Sequence, residues 1–292
     1  MRKKSINIFS VVVFIVLTLF TLSLIVLLGW GLLTSLKDYY TDFIINKFGF
    51  PKKWMFSNYK TVFEYYEVTV SDKNGSPIQV GMMEQLGNTL IICSLASFLS
   101  AFVPCWTGYL VAKYDYKFSK ILYNVALIAM ALPIIGAYPS ELDILNKLGV
   151  YNTFASVICQ RSSYLGIYFF VYVAMFKSIS KDYYDAATLD GASEAGVFFR
   201  IMFPMVIGTF FTVILLTFVT NWNDYQYALL YIPSKPTLSY GLYQFWQSPL
   251  QILNNEPMAM AGSFILIIPI LIVFTIFKNK LMGNVSMGGL KE

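Results

Sequence analysis

Residues 5–36 carry no charged side chain and are built almost wholly from Ile, Leu, Val, Phe and small polar residues. A stretch of that length suits a helix crossing a hydrocarbon layer, which takes roughly 20 apolar residues. Five further apolar stretches follow, so the sequence predicts spans at 9–36, 86–112, 121–140, 162–176, 205–223 and 257–277. The first is preceded by Arg2, Lys3 and Lys4 in the manner of a secretory signal. It runs too long for one, however, and ends in no small-residue cleavage site, so it reads as a retained helix. With 57% hydrophobic and 13% charged residues, the chain has too much apolar surface for an ordinary soluble domain. The expected fold class is therefore all-α and polytopic, with lipid as its solvent.

The fourth span is the shortest. Only 15 uncharged residues separate Arg161 from Lys177, about 22 Å of helix against a hydrocarbon core of about 30 Å. Either Arg161 snorkels at the outer surface, the reading we favour, or this helix is short and faces protein or a water-filled path.

Charge sets the expected sidedness. With the N-terminus inside, the inside segments hold twelve bases (among them Lys113, Lys117, Lys120, Lys177, Lys181 and Arg200) against six acids, a net of +6, which leaves −1 outside for a total of +5. Short inside loops rich in Lys place both termini in the cytoplasm. The basic balance on so apolar a chain is a positive-inside signature and gives no support to nucleic-acid binding. Cys93, Cys105 and Cys159 show no metal-ligand spacing and read as small buried hydrophobes, so no metal site is expected.

The spans contain no charged residue and the chain no histidine. Ion-coupled secondary transporters use intramembrane Asp, Glu, His or Arg, and a membrane enzyme needs a nucleophile, an acid–base pair or a metal cluster. No Gly-rich phosphate loop ending in Lys-Ser or Lys-Thr is present either. An energy source, if transport is the function, must sit on another subunit. The apolar runs instead hold Pro104, Pro133 and Pro269, each expected to kink its helix. They also hold hydroxyl and amide groups in two stripes: Asn88, Thr89, Ser94 and Ser97 in the second span, and Thr217, Thr220 and Asn221 in the fifth. The i, i+3 spacing of Ser94 with Ser97 and of Thr217 with Thr220 lets each pair share a face, lining a polar path or packing helices.

Between the fourth and fifth spans lies Asp185-Ala186-Ala187-Thr188-Leu189-Asp190-Gly191-Ala192, followed by Ile201-Met202-Phe203-Pro204. Ser180 is placed to cap a helix running to Leu189, Gly191 to turn the chain, and Ser193 to cap a second helix reaching Pro204. The expected product is a short kinked helix pair outside the bilayer. The fifth span ends in Thr220-Asn221-Trp222-Asn223-Asp224-Tyr225-Gln226-Tyr227, a set of aromatic, amide and carboxylate groups of the kind that binds sugars. An aromatic belt at the interface is the plainer reading of Trp222.

The Asp185–Pro204 stretch resembles the coupling loop of binding-protein-dependent ABC importers, written Glu-Ala-Ala, three residues, Gly, nine residues, Ile, one residue, Leu, Pro. Ala186, Ala187, Gly191, Ile201 and Pro204 fall in register, while Asp185 replaces the Glu and Phe203 the Leu. Trp222-Asn223-Asp224 is similar to the triplet typical of the carbohydrate branch. Phe50-Pro51 through Phe56-Ser57-Asn58-Tyr59, Gly149-Val150-Tyr151-Asn152-Thr153, Ala261-Gly262-Ser263, Ile268-Pro269 and Gly288-Gly289-Leu290-Lys291-Glu292 resemble patches of the smaller, six-helix permease of the maltose-type family. Glu292 departs from the usual Gly.

That resemblance implies a type I permease fold of six transmembrane helices in a single domain, 1–292. Its parts would be a core at 86–277, an extracellular loop at 37–85, a cytoplasmic coupling loop at 178–204, an extracellular loop at 224–256 and a cytoplasmic tail at 278–292. It implies a multi-pass protein of the cytoplasmic membrane that, paired with a sister permease, takes up a sugar or oligosaccharide. ATP and Mg would be bound by two cytoplasmic ATPase subunits, with no cofactor in this chain, and an extracellular sugar-binding protein would deliver the substrate. Asp185, Ala186, Ala187, Asp190, Gly191, Ala192, Ile201 and Pro204 would contact the ATPase. The substrate path would take Asn88, Ser94, Ser97, Thr217, Thr220, Asn221, Trp222, Asn223 and Asp224, and Tyr243 and Trp246 would face the binding protein. The alternatives are an ABC importer of another small polar solute, or a secondary transporter.

Overall fold

The computed structural model describes residues 8–71, 75–132, 136–250 and 252–285. Helices dominate. They are α1 (Ile8–Ser35), α2 (Ser57–Tyr65), α3 (Met82–Lys113), α4 (Lys117–Ala131), α5 (Tyr138–Lys147), α6 (Phe154–Arg161), α7 (Ile167–Ser178), α8 (Asp182–Leu189), α9 (Glu194–Val197), α10 (Phe203–Asn223), α11 (Tyr225–Tyr231), α12 (Leu238–Trp246) and α13 (Glu256–Val285). One small two-stranded sheet, β1 (Glu67–Ser71) paired with β2 (Pro77–Gly81), interrupts the all-helical pattern before α3.

Four helical runs among the described residues are long and apolar enough to cross a membrane: Ile8–Ser35, Met82–Lys113, Glu194–Asn223 and Glu256–Ile276. They answer to the first, second, fifth and sixth predicted spans. The other two predicted spans are broken. In the third, α4 stops at Ala131 and Leu132 is extended, with ψ 120°, the conformation that the residue before a proline is forced toward. The kink assigned to Pro133 itself lies outside the described residues, as do residues 286–292 of the expected tail. In the fourth, α7 is only 12 residues long, about 18 Å, and begins after Gly166 at φ +147°, which only glycine adopts readily. Pro104, by contrast, sits inside an unbroken α3 and Pro269 inside α13.

Two compact units make up the chain. One takes the chain up to Glu67 together with Leu242–Ile268. Here α1 exposes nearly every apolar side chain from Ile8 to Leu28 and buries only Gly31, Thr34 and Ser35, as a helix solvated by lipid should. Its last turn is tied to the start of α2, where the Asn58 amide donates to the Ser35 and Lys37 carbonyls at 2.9 and 2.8 Å. Lys37 is buried, its ammonium donating to the carbonyls of Asn46 and Lys47. Gly262 permits close packing in this unit, since a Cβ there would meet Leu242 at 2.9 Å.

The other unit takes Val68–Gly241 and the chain from Pro269 onward. Its axis is α3, flanked by α10 and α7. Gly108 lets α7 approach, because a Cβ at that position would lie 2.9 Å from the Tyr172 Cβ and 3.3 Å from the Val173 nitrogen. Around this contact Ala101, Cys105, Tyr109, Tyr172, Phe176, Val197, Phe198, Met202, Val206 and Phe210 form a single buried apolar cluster.

Candidate functional site

The segment after α7 folds for reasons readable residue by residue. The Ser180 hydroxyl accepts from the Asp182 N–H at 3.3 Å and donates to the Asp182 carboxylate at 2.8 Å, so α8 starts at Asp182, a little later than expected. At its end Gly191 has φ +79°. The Gly191 N–H bonds the Thr188 carbonyl and the Ala192 N–H the Ala187 carbonyl, both at 3.0 Å, the paired bonds of a Schellman turn. Ser193 then caps α9 through the Gly196 N–H at 3.2 Å.

The second member of the pair does not end at Pro204. Residues Phe198–Met202 form a π turn, the Phe203 N–H reaching back to the Phe198 carbonyl, and the helix continues into α10 with Pro204 in its first turn. The wider turn leaves room for the proline ring, which in an unbroken α-helix would press on the carbonyl four residues earlier.

Asp185, Ala186, Asp190, Gly191 and Ala192 are exposed, and Leu189 at the tip is 88% exposed. Ala187 is buried against the core, and Ile201 packs on it partly buried. The expected coupling residues thus divide into an outward face and an anchor. The anchor has a polar half not anticipated from sequence. Glu194, at the start of α9, takes the ammonium of Lys113 from the end of α3, with the hydroxyls of Tyr184 at 2.7 Å and Tyr114 at 2.8 Å on its oxygens. Lys113 lies over the Tyr184 ring, 3.5 Å from its centroid. The Lys113 bond first, then those from Tyr184 and Tyr114, hold the Glu194 carboxyl well below the usual carboxylate range. Glu194 itself is largely exposed, so this cluster orients the helix pair more than it stabilises the fold.

The two polar stripes do not form the shared faces expected of them. Ser97 and Thr217 are buried while Ser94 and Thr220 are exposed, because three residues on a helix leave about 60° between side chains. Thr217 and Thr220 donate to carbonyls of their own helix, Val213 at 2.8 Å and Leu216 at 2.9 Å. Asn88 and Thr89 are internal ties, to the Pro236 carbonyl at 3.2 Å and the Leu238 N–H at 2.8 Å. Asn221 reaches Ser97 at 3.4 Å.

Trp222 is fully buried and packs on Phe218 with ring centroids 5.7 Å apart, so it presents no open face to a sugar. Asn223 is exposed and donates to the Val219 carbonyl. Asp224 caps α11 through the Tyr227 N–H at 3.0 Å and faces Arg161 at 3.4 Å. Arg161 therefore does not snorkel. It ends α6, pairs with Asp224, and lies 4.8 Å from the centroid of the Tyr227 ring. Pairing to a carboxylate 63 positions away leaves no local pattern in the sequence.

Asp224 and Arg161 open onto a cleft of about 550 Å³ at the Asn223 end of α10. Glu141, Gln160, Gln226, Tyr138, Tyr227 and Tyr231 also line it. So does Cys159, which is exposed, contrary to the expectation of three buried thiols; Cys93 and Cys105 are buried. Of this set the sequence had suggested Asp224, Gln226 and Tyr227. No group of His, Cys, Asp or Glu suited to a metal occurs among the described residues.

Residues 105–281, more than half the chain, match the family described as binding-protein-dependent transport system inner membrane component. The chain belongs to that family. Such a component is a transport permease, and with its several apolar helices this one is a multi-pass membrane protein. The chain is similar to the arabinooligosaccharides transport system permease protein AraQ of Bacillus subtilis, 29% identical over 82% of this chain and 80% of that protein. It is also similar to the diacetylchitobiose uptake system permease protein NgcG of Streptomyces coelicolor, 24% identical over 96% and 88%. The crystal structure of a bacterial ABC transporter involved in the import of the acidic polysaccharide alginate shares its fold, with a TM-score of 0.71 over 96% of this chain and 98% of that one at 18% identity.

Proposed function

We propose that this permease forms, with a sister permease, the membrane path of an ATP-driven importer of a sugar or oligosaccharide. The observation that carries the reading is the exposed helix pair turned at Gly191 and running without a break into α10, a fixed handle for a motor outside the membrane. Similarity to permeases named for oligosaccharide uptake supports the substrate class. Two ATPase subunits in the cytoplasm, holding ATP and Mg, would grip Asp185, Leu189 and their neighbours; both termini would lie on that side. An extracellular sugar-binding protein would deliver substrate. Trp246, 47% exposed at the end of α12, and the half-buried Tyr243 one turn earlier are the groups offered to it.

Affinity purification of the tagged chain tests the assembly: a sister permease and an ATPase subunit should accompany it, and vesicles holding the complex should accumulate sugar only with ATP. A chain purified alone, or uptake indifferent to ATP, would defeat the reading. A photo-cross-linker at position 246 should capture the binding protein in at least one nucleotide state.

A further inference from the structure

The exposed helix pair is attached to the rest of its unit in three ways, of which two resist sliding. α9 runs through the π turn into α10, so a displacement of the pair reaches α10 along the backbone. Ala187 and Val197 sit in the buried apolar cluster with Ala101, Cys105 and Tyr109 of α3. Contacts of that kind are non-directional and let packed helices slide over one another. The third attachment is polar. Glu194 accepts from the Tyr184 hydroxyl of α8 on Oε1 at 2.7 Å, and on Oε2 from the Tyr114 hydroxyl at 2.8 Å together with the Lys113 ammonium. One carboxylate thereby joins both helices of the pair to the last residue of α3.

This cluster is built unlike an ordinary surface ion pair. The Glu194 side chain is 60% exposed, but that of Lys113 is only 9% exposed. Aromatic rings enclose Lys113, whose ammonium lies 3.5 Å from the Tyr184 centroid, 4.5 Å from that of Tyr114 and 5.6 Å from that of Tyr109. Glu194 is the one carboxylate within ion-pair distance of it among the described residues. Moving α9 away from α3 would strand a largely buried cation without counter-charge, which costs far more than parting two exposed charges. The bonds are also short-ranged, since a shift of about 1 Å takes a hydrogen bond out of range. Lys113 ends α3 and Glu194 opens α9, so each charge suits the helix end at which it stands.

We propose that Glu194 is a positioning residue for energy coupling, locking the helix pair to α3 through Lys113 so that α3 and α10 move together when the pair is pushed. The inference rests on the reading of the pair as the contact for a motor outside the membrane. It adds a second line of transmission to that reading. The backbone serves α10, whereas α3, the axis of the unit, is gripped by this joint and by contacts that slide.

The complete importer, reconstituted in vesicles with its binding protein, serves for the test. ATP hydrolysis and uptake of raffinose, maltotriose and arabinotriose are measured on the same preparations and expressed as sugar moved per ATP. The double variant Lys113→Met/Glu194→Ala removes the joint without stranding a buried charge. Its sugar per ATP should fall at least ~tenfold while hydrolysis stays within about twofold of the parent, a split that a merely structural role would not produce. Glu194→Ala alone should lower the ratio as far as the double variant does, because two residues acting as one joint are not additive. Losses that add instead, or a double variant whose ratio stays within about twofold of the parent, overturn the joint and spare the importer reading. So does a loss of uptake and hydrolysis in equal proportion, or a double variant that fails to assemble, since either makes the cluster a prop for the fold. A parent complex that moves none of the three sugars with ATP defeats the importer reading, and the inference with it.

Discussion

Replacing Gly191 by Val should leave the permease inserted and assembled but cut ATP-driven uptake at least tenfold. Gly191 sits at φ +79°, where a side chain meets no neighbour, so the effect is one of backbone strain alone. A β-branched residue in that region costs about 2 kcal/mol, enough to lower the population of the closed turn roughly 30-fold. The two bonds that define the turn, from the Gly191 and Ala192 N–H groups, would open with it. Gly191→Asn is the control. Asn tolerates the left-handed region, so uptake should stay within about twofold of the parent. Full uptake by the Val variant would remove the turn from the coupling path.

Gly108→Leu should produce the largest loss of stability of any single change in the α3–α7 contact. Its Cβ would lie 2.9 Å from the Tyr172 Cβ, 3.3 Å from the Val173 nitrogen and 3.4 Å from the Phe169 carbonyl oxygen, none of them a flexible side-chain end. Overpacking of that kind costs about 1–3 kcal/mol or more. Thermal unfolding of the detergent-solubilised complex should show a clearly lower midpoint, with Gly108→Ala falling between the two. An unchanged midpoint would mean that the two helices are farther apart than described.

What could be read from the sequence was local. Gly191 and Ser193 announce a turn and a cap, and both occur where expected, because left-handed backbone and N-capping depend on one residue at a time. The four long apolar helices are equally plain, since a hydrocarbon layer imposes length and composition directly. The failures share a cause. Pro204 reads as a helix end until the π turn before it is seen. The third and fourth spans look continuous because hydropathy ignores the extended Leu132 and Gly166 at φ +147°. Arg161 looks solvated because Asp224, its partner, is distant in sequence. The cleft escaped for the same reason: Glu141, Gln160 and Tyr231 come from three helices that only the fold brings together.

The π turn at Phe198–Met202 also sets an angular phase. One extra residue in a helical turn rotates everything after it by about 100° relative to an uninterrupted α-helix. Without it, Thr217 and Trp222 would swing out of the packed side of α10, and Asp224 would lose its bearing on Arg161. Natural or engineered variants should therefore tolerate substitution of the exposed Phe199 and Arg200 far better than a change of length there, because length at this point fixes which way the whole of α10 faces.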